Sequence, residues 1–214
     1  DLERLDDKSV WARLLKNTAK KFGSPNIRSI ATIGGNVCAA SSSEDLLPVF
    51  LVLDARVKTI AKDHAREMPL RDFIVEKRKT TLEPGEILAE VSFMEPTPRA
   101  ACSFQKLGMR SILIIALVSV AALVAPDETN SRFVSARVAL NRLNRKTPQR
   151  AESVEKELIN QTLDETSVSR AVEALGRELT LTSDFRASAD YRREAVKVLL
   201  RRSLLDCRET ILKR

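Results

Sequence analysis

The stretch Thr32-Ile33-Gly34-Gly35-Asn36, continued by Val37-Cys38-Ala39-Ala40-Ser41-Ser42-Ser43-Glu44-Asp45-Leu46-Leu47-Pro48, is the one place in the chain where adjacent glycines, short polar residues and a carboxylate come together. Two neighbouring glycines let a backbone turn through positive φ and leave no Cβ between the amides and a ligand. Successive N–H groups in such a turn form a concave nest that suits phosphate oxygens, and Ser and Asn side chains add neutral donors around it. The stretch reads either as a pyrophosphate seat or as an ordinary Gly-Gly turn. Neither a Rossmann GxGxxG fingerprint nor a P-loop is present.

On the N-terminal side of this stretch, Val10, Trp11, Leu14, Leu15, Ala19 and Phe22 recur at helical intervals, and Gly23 and Pro25 supply a stop. An amphipathic helix is expected over 9–22, with Ser24-Pro25-Asn26-Ile27-Arg28 as an extended lead into the turn. On the C-terminal side, residues 46–53 are apolar and hold Pro48, the pattern of a short helix running into a strand. Residues 57–61 and 87–93 are strand-like, residues 70–74 form a brief helical or turn element, and Glu83-Pro84-Gly85-Glu86 is a turn. Short strands at hairpin spacing point to an antiparallel sheet.

Glu95-Pro96-Thr97-Pro98-Arg99 disfavours both helix and central strand, which places a domain junction there and divides the chain into 1–97 and 98–214. Beyond it, residues 112–125 are apolar with Ser119 as the sole polar break, too short to span a bilayer and suited to a buried strand or core helix. Residues 133–140 alternate loosely and should pair with that segment. Three helices are expected after it, over 150–160, over 167–179 and from a Ser188 cap onward. Strands followed by helices indicate an α+β fold.

At 214 residues and 43% hydrophobic, the chain can build a substantial core. Cys38, Cys102 and Cys207 are odd in number and far apart, which argues against a disulfide framework or a zinc site and for reduced thiols in the cytoplasm. His64, the only histidine, sits in a charged hairpin tip with no second imidazole nearby. The acidic start Asp1-Leu2-Glu3-Arg4-Leu5-Asp6-Asp7 lacks the apolar core of a signal peptide, so none is expected within these residues, and a first residue other than Met suggests a cut or incomplete chain. The net charge of +7 is mostly interspersed. Its densest basic run, 137–150, has five Lys/Arg and no aromatic for base stacking, so an acidic protein partner explains it as well as nucleic acid does.

Several separated blocks, taken together, resemble the flavin-binding medium subunits of the molybdenum hydroxylases, the xanthine dehydrogenase and carbon monoxide dehydrogenase group. They are Phe22-Gly23-Ser24-Pro25-Asn26-Ile27-Arg28, then Ala31-Thr32-Ile33-Gly34-Gly35-Asn36, then Asp45-Leu46-Leu47-Pro48. Pro84-Gly85-Glu86-Ile87-Leu88, Phe104-Gln105-Lys106 with Arg110, Ala116-Leu117-Val118-Ser119-Val120-Ala121, and Phe185-Arg186-Ala187-Ser188-Ala189-Asp190-Tyr191-Arg192-Arg193 follow in the family's order.

The resemblance implies a PCMH-type FAD-binding domain with an antiparallel sheet, followed by a C-terminal domain of three antiparallel strands and helices. It implies an oxidoreductase subunit in a heteromeric complex. Electrons would come from a molybdopterin cofactor and [2Fe-2S] clusters in partner subunits, reach FAD here, and pass to NAD⁺ or another acceptor. Thr32, Ile33, Gly34, Gly35 and Asn36 would wrap the FAD pyrophosphate and ribityl region, and Asp45 would accept from ribityl or ribose hydroxyls. Ile87 and Leu88 would line the groove, and Lys106 would lie near the isoalloxazine, where a cation favours the reduced ring. Without the resemblance, Asp45 reads equally as a helix cap and Lys106 as a solvated strand-end lysine.

Three departures stand out. The family's other glycine-rich loop, of the AGGTDL kind, has no counterpart among these residues, so the chain is expected to hold only the second part of the FAD-binding domain. Ile114 stands where the family often has an acidic or amide residue before an Ile-Ala pair, which leaves the electron acceptor open. Asn141-Arg142-Leu143-Asn144-Arg145-Lys146 replaces a more usual Gly-rich turn and suggests partner contact. Two further readings stand beside the flavoprotein one: an assembly scaffold that no longer binds FAD, and a basic nucleic-acid-binding module.

Overall fold

The structure, a computed structural model, describes residues 2–109, 115–141, 148–176 and 179–214. A short 3-10 turn, Leu2–Arg4, precedes four helices: α1 (Val10–Lys20), α2 (Pro25–Ile30), α3 (Ile33–Ala39) and α4 (Leu46–Val52). Next come β1 (Arg56–Ile60), β2 (Ala65–Pro69), a one-turn helix α5 (Leu70–Phe73), β3 (Ile74–Glu76), β4 (Lys79–Thr80) and β5 (Ile87–Ser92). After the Pro-rich link run β6 (Ala101–Gly108), β7 (Ala116–Pro126), β8 (Phe133–Asn141) and β9 (Gln149–Arg150). The chain then forms α6 (Glu152–Leu158), α7 (Glu165–Leu175) and α8 (Ala189–Leu212). The fold is mixed α and β with antiparallel sheets, as expected.

Two corrections fall in the N-terminal helices. The 24–28 segment is not extended: Ser24 caps α2, accepting from the Ile27 amide at 3.3 Å, and Pro25 occupies the first helical turn. A proline there lacks only an N–H that would be orphaned anyway, and its fixed φ already suits a helix. Nor do Gly34 and Gly35 form a positive-φ turn; both lie in the first turn of α3, and only Gly23 and Gly85 among the glycines have positive φ. The reason is Thr32, whose hydroxyl accepts from the Gly35 amide at 2.9 Å while its carbonyl accepts from Asn36, starting a helix despite the low propensity of glycine.

β6, β7, β8 and β9 form one antiparallel sheet in that order, three long strands with a two-residue edge. β7 is buried along its whole length because both faces of the sheet are covered. Ala121, Leu123 and Ala125 face a core shared with α1, α4, α5 and β1, whereas Val118, Val120, Ala122 and Val124 face the helices α6, α7 and α8. The first core thus runs across the Pro-rich link, with Phe50 of α4 and Phe104 of β6 in one cluster. Strand parity therefore sends Phe104 and Lys106 of β6, and Ala139 and Asn141 of β8, towards the N-terminal helices. Arg137, of the same parity, pairs with Asp54 at 2.9 Å, and Arg150 pairs with Asp54 at 2.6 Å and Glu155 at 2.5 Å. Two of the five basic residues of 137–150 are thus bound within the chain; Arg142, Arg145 and Lys146 lie outside the described residues.

The smaller sheet, β2-β1-β5, carries a buried knot that the sequence did not suggest. Glu86 accepts from Arg66 Nε at 2.8 Å, the Thr59 hydroxyl at 3.0 Å and the Glu83 amide at 2.8 Å, and His64 lies 3.5 Å away. A buried carboxylate thus lies beside His64. Arg66 above all, then the Glu83 amide and Thr59, hold the Glu86 carboxyl down at about 2, against the usual 4.5. Its stabilising contribution is therefore complete above about pH 4.5 and lost as pH falls towards 2. Glu86→Gln should lower the urea midpoint at pH 7 and flatten its fall across that acid window; an unchanged acid limb would count against the knot.

Candidate functional site

Most of the residues singled out from the sequence converge where α3, the 40–45 loop and β6 meet. Thr32, Ile33 and Gly35 are exposed at the start of α3, Gly34 is half-buried, and Asn36 is buried beneath them. Only the Gly35 and Asn36 amides are bonded, to the side chain and carbonyl of Thr32, so the Ile33 and Gly34 N–H groups have no partner among the described residues. A Cβ on Gly35 would stand 2.9 Å from Thr32 Oγ1, whereas one on Gly34 would meet nothing within 4 Å. α3 ends at Ala40 in a left-handed conformation, and the chain turns back through the serines. There the Ser41 carbonyl accepts from the Glu44 amide at 3.1 Å.

Asp45 does not cap α4, since its side chain makes no capping bond. Lys106 is not a solvated strand-end lysine either. The two meet: Lys106 Nζ lies 2.5 Å from Asp45 Oδ2, and both side chains are 2% exposed. Lys106 also donates to the Lys21 carbonyl at 3.2 Å. Burial pushes the Asp45 carboxyl up to about 6, with Lys106 pulling the other way. Glu44 is likewise raised, by burial first and by Asp45 next, against the amide of Asn36, which donates to it, and Lys106. Asp45 is thus paired with Lys106 in a dry place, with the half-buried Glu44 carboxyl next to it.

Ile87 and Leu88 sit on β5, which packs beside α3; Ile87 is 65% exposed and Leu88 packs on the N-terminal core. Three neighbours of the site were not among the expected residues. Glu44 joins Asn36 to the loop, Asn141 donates to the Glu44 carbonyl at 3.0 Å, and Ser119 lies between Lys106 and Asn141 in register on the three long strands. A signal existed for two of them: Ser119 is the lone polar residue of an apolar strand, and Asn141 opens the run that replaces a Gly-rich turn. Arg110 and Ile114 lie outside the described residues.

The polar groups here leave an open set of valences. Asn36 Oδ1 and Asp45 Oδ1 are buried without a hydrogen-bond partner among the described residues, and so is Ser119 Oγ. Lys106 uses two of its three N–H donors among the described residues. Buried acceptors are rarely left unpaired in folded proteins, and such groups call for a ligand or water. Two acceptors beside one cationic donor, next to two free amides on an exposed turn, match a molecule with hydroxyl donors, a carbonyl-like acceptor and a phosphate. FAD has all three, so these residues fit the group.

Residues 2–96 match the family described as the FAD binding domain in molybdopterin dehydrogenase, and residues 103–207 match the CO dehydrogenase flavoprotein C-terminal domain. The chain belongs to the flavin-binding chains of the molybdenum hydroxylases. It is 29% identical over 192 residues to the carbon monoxide dehydrogenase medium chain of Afipia carboxidovorans, covering 89% of this chain and 65% of that one. It is 26% identical over 185 residues to the xanthine dehydrogenase FAD-binding subunit of Escherichia coli O157:H7, covering 86% and 62%. A reconstituted CO dehydrogenase from Oligotropha carboxidovorans superposes with a TM-score of 0.89 at 26% identity, over 97% of this chain and 71% of that one. The chain thus spans less than two thirds of the length of these two curated relatives. Among the described residues no helix is long and apolar enough to cross a membrane.

Proposed function

We propose that this chain holds FAD against the start of α3 and the Asp45–Lys106 pair, as the electron-transfer subunit of a cytoplasmic molybdenum hydroxylase complex. The carrying observation is the set of buried, unpartnered groups on Asn36 and Asp45 beside a lysine with a donor to spare. Thr32, Ile33, Gly34, Gly35 and Asn36 would bind the pyrophosphate and ribityl region, Ile33 and Gly34 through their free amides, Gly34 and Gly35 through the absence of bulk, and Thr32 by holding the turn. Asp45 Oδ1 would accept from a hydroxyl of the cofactor. Lys106 would hold its remaining N–H towards the ring's electron-rich edge, and Ile87 and Leu88 would shield the groove from water. When bound, FAD would supply the redox chemistry that links the iron–sulfur clusters of a partner subunit, fed by a molybdopterin-binding subunit, to NAD⁺ or another acceptor. In this reading residues 1–97 are the second part of a PCMH-type FAD-binding domain and 98–214 the C-terminal domain.

The test is flavin content. Full-length protein, purified and then stripped of flavin, should quench FAD fluorescence stoichiometrically on titration. Absence of any flavin binding by a complex that carries molybdenum and iron–sulfur centres would overturn the assignment and leave the scaffold reading in its place. Asp45→Ala should weaken binding by about 1–3 kcal/mol, the worth of a hydrogen bond to a charged group, measured in the same titration.

A further inference from the structure

The three long strands of the C-terminal sheet place Lys106, Ser119 and Asn141 in one row, each the registered partner of the next, on the face that looks towards the 40–45 loop. Each has a different relation to that loop. Lys106 pairs with Asp45, Asn141 donates to the carbonyl of Glu44, and Ser119 between them is wholly buried with a hydroxyl that has no partner among the described residues. All the other inward positions of β7 from 118 to 125 are Val, Ala or Leu, which shows that this depth of the sheet is built for apolar side chains. A serine kept there without a hydrogen bond destabilises the folded chain, because a buried hydroxyl loses its water and regains nothing. The arrangement makes sense if the hydroxyl is used in a state other than the free chain.

We propose that Ser119 and Asn141 are positioning residues of the flavin site, forming with Lys106 a polar row by which the C-terminal sheet sets the cofactor loop. The inference rests on the FAD reading above. Asn141 fixes the loop by its backbone, so that Glu44 and Asp45 present their carboxylates at a constant height above the sheet. Ser119 acts through Lys106. When the cofactor draws on the third N–H of the ammonium group, the neighbouring hydroxyl takes over the N–H that the Lys21 carbonyl accepts in the free chain, fixing the ammonium between Asp45 and the sheet. The hydroxyl is rotatable and both donor and acceptor, which suits it to a bond that forms only on binding.

This makes an unusual expectation for Ser119→Ala in the full-length protein. Free of FAD, the variant should be as stable as the parent or more so, since an unsatisfied hydroxyl has been removed. Its FAD dissociation constant should nonetheless rise roughly tenfold, the effect of one lost hydrogen bond of ordinary to good strength. The midpoint potential of the bound flavin should fall, because a less constrained Lys106 stabilises the reduced ring less. Asn141→Ala should weaken FAD binding similarly and shift the potential in the same direction, and Asn141→Gln should not rescue it, since the longer side chain moves the donor off the Glu44 carbonyl. A parent protein that binds FAD together with a Ser119→Ala variant of unchanged affinity and potential would overturn this inference and leave the FAD reading intact. A parent protein that binds no FAD would overturn the reading beneath it. Loss of apo stability in Ser119→Ala would also overturn it, by showing that the hydroxyl already serves the free fold.

Discussion

Lys106→Leu is expected to destabilise the flavin-free protein by about 3–5 kcal/mol, the loss typical when one partner of a buried ion pair is removed. The magnitude follows from burial: with both side chains 2% exposed, water cannot take over the role of the ammonium group. The leucine leaves Asp45 next to Glu44, two carboxylates with no cation between them. Asp45 is already raised to about 6 with Lys106 opposing the shift, and removing that opposition pushes it higher. A carboxyl whose folded pKa lies above its unfolded value of 3.8 keeps its proton longer in the native state, so the folded form is favoured at low pH and disfavoured as pH rises. The variant should therefore be close to the parent near pH 4 and lose ground steadily through pH 6 and above. Urea unfolding followed by circular dichroism across pH 4–8 measures this directly. The double variant Lys106→Leu/Asp45→Leu should recover most of the loss, because neither charge then stays buried alone. A single variant with parent-like stability at pH 7.5 would show that the pair is solvated and that the site is more open than the structure shows.

The same pair shows what was and was not legible in the sequence. The ordered blocks pointed to the family, and Asp45 and Lys106 were both picked out as cofactor residues. Their direct contact was not foreseeable, because 61 positions separate them and only the parity of β6 turns Lys106 towards α4. β7 was readable as a buried segment from its unbroken apolar run, and the helices α6 to α8 from their periodicity. α2 was misread because Ser-Pro announces either an extended segment or a capped first turn, and the local sequence does not choose between them. The Gly-Gly pair was misread for a related reason. Positive φ is what glycine permits, but the Thr32 cap decided that a helix would form. Knots such as Arg66–Glu86 join a strand to a turn twenty residues on and carry no sequence signature at all.

Gly35→Asp should weaken FAD binding by on the order of a hundredfold while Gly34→Ala changes it little, and the contrast between the two glycines is the sharper half of this prediction. If the pair served a positive-φ turn, both would suffer from a side chain. In α3 neither is in that region, so backbone strain is not the issue. What differs is space: a Cβ at 35 would press on the Thr32 hydroxyl at 2.9 Å, and at 34 nothing lies within 4 Å. Any side chain at 35 thus displaces the cap, worth about 1 kcal/mol, and loosens the turn that presents the Ile33 and Gly34 amides. An aspartate adds a second effect of at least similar size, a negative charge beside the place where the pyrophosphate would lie. Gly35→Ala should fall between the two, since it displaces the cap without the charge. Raising the salt concentration should recover part of the affinity of Gly35→Asp and none of that of Gly35→Ala, because only the former involves exposed charges that ions can screen. Fluorescence titration of the three variants at low and high salt separates these contributions. Equal losses at both glycines would instead mean that the phosphate seat needs bare backbone at 34, with the cap at Thr32 incidental to binding.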